Sequence, residues 1–475
     1  MSFRSVMLLM VVVGVMPVKA AVEREKSELA SSSEREQARP AVMAQEKRAM
    51  TVKELFELVE TGSKTLQETK TSVDFAQKGV EAARAQRLPE VNASLSASYN
   101  GNVVVMDRDF TNAQGFSSPH FGNSFALEAQ QVVYAGGAVN AGIRVAELQR
   151  DMAVSGQRAT SNAQRFMVLG QYLDLFKIQN RMQVYEQNIA LTRRLIDDIH
   201  AKQEQGMALK NDVTRYELQM ETLLLGLRRL QDQQAILNHQ LCNTLGMEQD
   251  VVIVPSEELR VKSEEFATAL PAQTDSSFFI LQSSLNDWQQ AALTSSPQME
   301  QSELSTKMAE QQLKLAKSEL LPKVAVVAAD NFSGPFTYDI PPIDKNINYW
   351  YVGVGVRYNL SSLFKQNKKV RQAKTGVQRS QQQQQVVAES LDNQIQQAWT
   401  LWQQTYVDLD TQKKSVELAR QNYEVVNERY LNQLALITDM LDASNIRLNA
   451  ELQEVDARIN IVYAYYKLKF IAGTI

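Results

Sequence analysis

The sequence predicts a mainly α-helical, internally duplicated chain: long antiparallel coiled-coil helices with a small β part of four strands. Three observations predict it. The prolines leave two proline-free blocks, 120–254 and 343–475, of about 135 and 133 residues, and no glycine lies between Gly376 and Gly473. Proline breaks helices and glycine weakens them, so these blocks are long helices. Three landmarks recur in the same order. VEAARAQRLPEVNASLSASY around Pro89 matches LKLAKSELLPKVAVVAADNF around Pro322; VVYAGGAVNAGIRVAELQ (132–149) sits opposite VRYNLSSLFKQNKKVRQA (356–373); ALKNDVTRYELQ (208–219) matches ALITDMLDASNI (435–446). Ordered self-similarity of this kind is a repeat. Finally, heptad-like seams run through both blocks, as detailed below.

The N-terminus opens with Arg4, an apolar stretch over residues 6–16 and Val18-Lys19-Ala20. This is the pattern of a secretory signal peptide, expected over 1–20, and it is too short to span a bilayer. No cysteine follows to carry a lipid. Residues 21–49 are charged and poor in apolar groups, as a disordered linker is. No later apolar run reaches 18 residues, so no transmembrane helix is expected.

The first repeat is expected over 50–250 and the second over 281–475, joined by a linker at 251–280. Each begins with helices and a Leu-Pro step into a β-hairpin, about 90–134 and 323–359. Val91, Ala93, Leu95, Ala97 and Tyr99 alternate with polar residues, and so do Phe125, Leu127, Ala129 and Val133. A period of two puts apolar groups on one face. In the second hairpin, Trp350, Val352, Val354, Val356 and Tyr358 share a face opposite Gly353, Gly355, Arg357 and Asn359. The intervening loops, 106–123 and 334–348, carry the Asp, Asn, Gly, Pro and aromatic residues of exposed loops.

Long helical hairpins follow, with tips expected near 206–212 and 432–442. Val213, Tyr216, Met220, Leu223, Leu227, Leu230, Leu237 and Leu241 form one seam. Leu441, Leu448, Leu452, Val455, Ile459, Val462 and Tyr466 form its counterpart, facing Val416, Ala419, Tyr423, Val426 and Tyr430. Such spacing predicts antiparallel coiled-coil packing. A helix from about Ala138 to Gln205 would be about 100 Å long. A compact core needs no such helix, whereas a protein that crosses a wide aqueous gap does.

Composition excludes several functions. With 50 Lys+Arg and 54 Asp+Glu the net charge is −4, so no basic face for nucleic acid is expected. One cysteine, Cys242, excludes a disulfide framework and any cysteine-based zinc or iron–sulfur cluster, and is expected to be a buried thiol. Three scattered histidines, His120, His200 and His239, disfavour a metal site. No phosphate loop, nucleophile elbow or His-Glu motif occurs, so neither an enzyme nor a cofactor is expected. The glutamine run 381–385 is a polar helix face.

Four strands of about ten residues suit an outer membrane but cannot close a barrel, and open edges in lipid are forbidden. Three chains would give a 12-stranded barrel, with Tyr349, Trp350 and Tyr351 as its headgroup girdle. The competing reading is a soluble periplasmic coiled-coil scaffold with core aromatics.

The sequence resembles the TolC-type outer-membrane efflux proteins over about residues 50–472. The resemblance is most specific at the duplicated Leu-Pro steps, the Tyr134-Ala135-Gly136-Gly137 exit and the segment Thr438-Asp439-Met440-Leu441-Asp442-Ala443. It implies a homotrimer in the outer membrane with a 12-stranded barrel, a helical tunnel in the periplasm and a mixed equatorial belt that includes helices of the first repeat. It also implies passive export of drugs or proteins, joined through a periplasmic adaptor protein to an inner-membrane pump of the resistance–nodulation–division (RND) or ABC type. By the same resemblance Asp439 and Asp442 line the periplasmic entrance gate, and Asp212 with Tyr430 makes a contact that constrains it. Their i, i+3 spacing puts Asp439 and Asp442 on one helix face, off the Leu441 seam. Ala435 departs from the family's frequent arginine, and Gln433 stands where a glycine matching Gly206 is expected.

Overall fold

The computed structural model describes residues 46–256, 284–337, 339 and 342–475. The expected signal peptide, and the expected linkers apart from 46–49 and 251–256, lie outside the described residues. The chain runs β1 (Glu46–Met50), α1 (Val52–Gly62), α2 (Lys64–Ala85), β2 (Glu90–Tyr99), β3 (Val103–Val105), β4 (Gln114–Phe116), β5 (Phe121–Tyr134), α3 (Ala138–Glu204), α4 (Lys210–Leu245) and β6 (Val251–Pro255). It continues with α5 (Leu285–Ser295), α6 (Pro297–Ser318), β7 (Lys323–Gly334), β8 (Ile347–Arg357), α7 (Ser362–Leu431) and α8 (Ile437–Ile471).

The two hairpins join into one antiparallel sheet of order β2-β5-β7-β8. Its rows run straight across both repeats: Val91 faces Ala129, Ala129 faces Ala328, and Ala328 faces Val352. One face is therefore largely apolar, interrupted by Asn123, Gln131, Asp330 and Asn348. It carries Val91, Leu95 and Tyr99 of β2, Phe125 and Leu127 of β5, Val326 and Phe332 of β7, and Trp350, Val352, Val354 and Val356 of β8. These side chains are exposed. The other face carries Asn92, Ser94, Ser96 and Glu128 with Tyr349, Tyr351 and Arg357. A bulge between Val132 and Tyr134 makes Val133 an extra residue, so Tyr134 takes the place opposite Val324 that alternation gives to Val133. Strand β5 then turns into α3 through Gly136 and Gly137, at φ 62° and 85°, a left-handed pair that side chains disfavour.

Strand alternation corrects the expected girdle. Three consecutive residues cannot share a face. Trp350 lies on the apolar face, while Tyr349 and Tyr351 lie on the polar one. The aromatics that accompany Trp350 come from other strands: Tyr99, Phe121, Phe125 and Phe332.

Helix α3 has 67 residues and α7 has 70, about 100 Å each. Below the sheet α2, α3, α6 and α7 lie side by side; farther down, α4 and α8 continue beneath α2 and α6. A belt of small elements covers one side of the middle. Strands β1 and β6 pair in parallel within it, at positions expected to be linker. Tyr172 of α3 donates to the Met50 carbonyl, and Ser161 donates to Glu60. Thr51 and Ser284 cap α1 and α5 with capping boxes. The largest core sits here, with Trp402 1% exposed among Tyr406, Leu409, Tyr465 and Leu468. The seams run down from it. Val213, Tyr216, Leu223, Leu230 and Leu241 are buried, as are Leu448, Ile459, Val462, Val416, Ala419 and Tyr423. Cys242 is buried too. None of the described helices is long and apolar enough to cross a membrane.

Candidate functional site

The end of the molecule farthest from the sheet has two hairpin tips built alike. Helix α3 closes with Gly206 at φ 73° and Met207 N–H donating to the Lys202 carbonyl at 2.8 Å. Helix α7 closes with Gln433 at φ 63° and Leu434 N–H donating to the Arg429 carbonyl at 2.7 Å. Both are left-handed helix ends of the kind glycine favours. A side chain in that conformation costs roughly 1–2 kcal/mol. Gln433→Gly is therefore expected to stabilise the second tip by about 1 kcal/mol. Amide exchange at Gln433 and Leu434 should slow by about fivefold; unchanged exchange would show that the tip carries no such strain.

The following helices also start alike. Asp212 accepts from Leu209 N–H at 3.2 Å, and Asp439 accepts from Leu436 N–H at 3.1 Å. The two aspartates are repeat equivalents at the third position of α4 and α8, where the helix dipole favours an anion. Asp439 and Asp442 are both exposed, beside buried Ile437, Met440 and Ala443. One Asp439 oxygen is engaged by the cap, whereas Asp442 makes no hydrogen bond or ion pair among the described residues. The pair is thus one capping carboxylate and one free carboxylate.

Tyr430 and Asp212 come close without a hydrogen bond. The Tyr430 ring lies 5.6 Å from Lys202 Nζ. Burial raises the Tyr430 hydroxyl above its ordinary pKa, and the Asp212 charge adds to this. Tyr216 is raised still more by burial, with Tyr430, Tyr423 and Asp212 contributing, and its hydroxyl is buried without a partner among the described residues. The tip is packed by tyrosines that stay neutral.

A polar clasp just above the tip escaped the sequence reading. Arg447 stacks its guanidinium 3.9 Å from the Tyr423 ring centroid and donates to Asn188 Oδ1 at 3.0 Å. Asn188 donates to Glu451 Oε2 at 3.3 Å, and Arg420 pairs with Glu451 at 3.2 Å. Asn188 is 4% exposed. This ties α3 to α7 and α8. The available signal was Asn188 and Thr192, polar residues within a seam otherwise continued by Leu195 and Ile199, where a polar group sets register. Higher up, Arg181 pairs with Asp456 at 2.9 Å, on the face away from the belt.

A model of the outer membrane efflux protein family matches residues 55–247 and 288–474. Among solved structures, the outer membrane protein VceC of Vibrio cholerae is similar at 16% identity, TM-score 0.69, over 89% of this chain and 96% of that one. The CmeC outer membrane channel of Campylobacter jejuni is similar at 12% identity, TM-score 0.68, over 89% and 85%. The open state of the MtrE outer membrane channel of Neisseria gonorrhoeae is similar at 13% identity, TM-score 0.66, over 89% and 88%. No curated protein matches the sequence significantly. At these identities the structures speak to the fold, and they share its long helices and strands. The match of the family model to both repeats identifies the chain as a member of the outer membrane efflux protein family.

Proposed function

We propose that the protein is the outer-membrane channel-tunnel of a tripartite efflux or secretion system. It would be a homotrimer and a passive conduit, fed by an RND or ABC pump through a periplasmic adaptor. The observation that carries this reading is the four-stranded sheet. Its strands have 10, 14, 12 and 11 residues, one face is largely apolar and exposed, and β2 and β8 are left as open edges. Such edges are intolerable in lipid, and pairing β2 with β8 of the next chain removes them. Three copies close 12 strands around the polar face. The signal peptide delivers the chain to the periplasm, where the helices remain while the barrel inserts. The belt is too bulky to fit three times inside a tube, so it lies outside. The opposite helical face lines the lumen.

The tips then converge on the axis. Asp439 and Asp442 contribute two carboxylates per chain, six per trimer, at the narrowest entrance. Such a ring focuses a negative field and attracts cations. Asp212 and Tyr430 hold the tips together by packing and proximity, in place of the arginine that Ala435 lacks. In planar bilayers the protein is expected to form cation-preferring channels blocked by multivalent cations. Replacing Asp439 and Asp442 with Ala should raise the half-blocking concentration at least tenfold. Unchanged block would remove the aspartates from the gate. A soluble periplasmic scaffold would form no channels at all.

A further inference from the structure

The upper third of α7 carries a charge pattern that neither the gate nor the barrel uses. Residues 362–388 contain Lys365, Lys368, Lys369, Arg371, Lys374 and Arg379 and no acid; the first is Glu389. All six cations are exposed, and none forms an ion pair among the described residues. Elsewhere the long helices carry carboxylates among their cations and pair several of them, as in Arg158–Glu300, Arg181–Asp456 and Arg420–Glu451. A solvated helix face ordinarily mixes charge signs. Lys365, in the first turn, also opposes the helix dipole.

Part of the run borders a groove between α6 and α7 of about 550 Å3. Its floor is low because Ala309, Ala373 and Gly376 are small, and Lys369 and Arg379 stand on its rim. These two are ten residues apart, about 15 Å along the axis. Met308 adds apolar surface, and Gln312 adds hydrogen-bonding capacity. Glu303 and Glu310 of α6 lie about 140° to 160° round that helix from Ser305, away from the groove.

The groove lies on the face opposite the belt. Counting 100° per residue, Lys369 shares a flank with Thr405, Asp408 and Gln412. Asp392, which accepts from belt residue Gln289 at 2.6 Å, and Trp399, packed in the belt core, lie about 120° to 140° away.

We propose that this groove binds organic polyanions: elongated, partly apolar molecules whose acidic groups engage Lys369 and Arg379. Resting on the conduit reading, it further assigns such compounds to the cargo. A negative entrance and a positive upper wall would then act in series, the second holding anions near the outlet.

The test uses full-length protein in uncharged detergent, titrated with 8-hydroxypyrene-1,3,6-trisulfonate and followed by fluorescence anisotropy. Saturable binding is expected. Lys369→Gln with Arg379→Gln should weaken it at least tenfold. Arg371→Gln with Lys374→Gln removes the same charge about 140° to 160° round the helix from Lys369 and should change it less than twofold. Gly376→Leu keeps every charge; its side chain meets open space and fills the groove floor, so it too should weaken binding at least tenfold. No saturable binding, equal losses in both charge variants, or full binding by Gly376→Leu would each overturn the site. Bilayer conductance is read separately. Binding without channels would leave the site standing and sink the conduit; channels without binding would do the reverse.

Discussion

Replacing Val352 and Val354 together with arginine is expected to abolish assembly in the outer membrane. Both side chains lie on the apolar face of β8, 66% and 69% exposed in the single chain, with Val326 and Ala328 opposite them. In the proposed barrel this face meets lipid. An arginine at the bilayer midplane costs about 2–4 kcal/mol. Two together approach the whole stability of an ordinary domain, roughly 5–15 kcal/mol. The variant should disappear from the outer-membrane fraction and accumulate in the periplasm or be degraded. Ser96→Arg, on the polar face of β2, should insert normally because that face meets water. Equal membrane insertion of the Val352/Val354 variant would mean that the face never meets lipid, and the scaffold reading would gain.

Trp402→Ala should be the most damaging single change in the helical part, by about 3–5 kcal/mol. The indole is 1% exposed at the centre of the belt core. Its ring centroid lies 5.3 Å from Trp399 and 5.8 Å from both Tyr406 and Tyr465. Truncation loses the burial and leaves a cavity among rings that long helices hold apart, so the site collapses poorly. The same core joins α7 and α8 to α1, α5, β1 and β6, which makes the loss felt across the belt. The thermal midpoint for loss of helical circular dichroism should fall by several degrees. Trp399→Ala, at a half-buried position, should lower it less. A Trp402→Ala midpoint equal to that of the unmodified protein would contradict the assigned core.

The long-range plan of the chain was legible because its signals are redundant. Proline gaps, heptad seams and a threefold internal match all point to the same helices, and period-two alternation marks the strands independently. The belt was legible only through the family resemblance, and the strands that pair in it were not legible. Strand β1, EKRAM, is five residues long and polar, and its partner β6 lies about 200 residues away. Parallel pairing of distant short strands leaves no hairpin signal in the sequence. The girdle was misjudged for a simpler reason: Tyr349-Trp350-Tyr351 is a cluster in sequence, but the pleat sends Trp350 one way and the tyrosines the other.

At the tip, the repeat match between 208–219 and 435–446 already aligned Asp212 with Asp439. Their shared capping role is a backbone matter that residue spacing alone does not reveal. The clasp of Asn188, Arg447, Glu451 and Arg420 spans three helices, so no local motif announces it. Gln433 was legible as a departure from glycine, and its φ of 63° supplies the physical reason.

A conduit through the outer membrane requires closure of the sheet by three chains. Its most direct test is the mass of the purified full-length protein in mild detergent, by light scattering corrected for bound detergent. The expected result is a particle holding three chains that stays together on dilution. A detergent-free monomer, or a detergent-bound particle of one or two chains, would contradict it, because β2 and β8 would then remain unpaired.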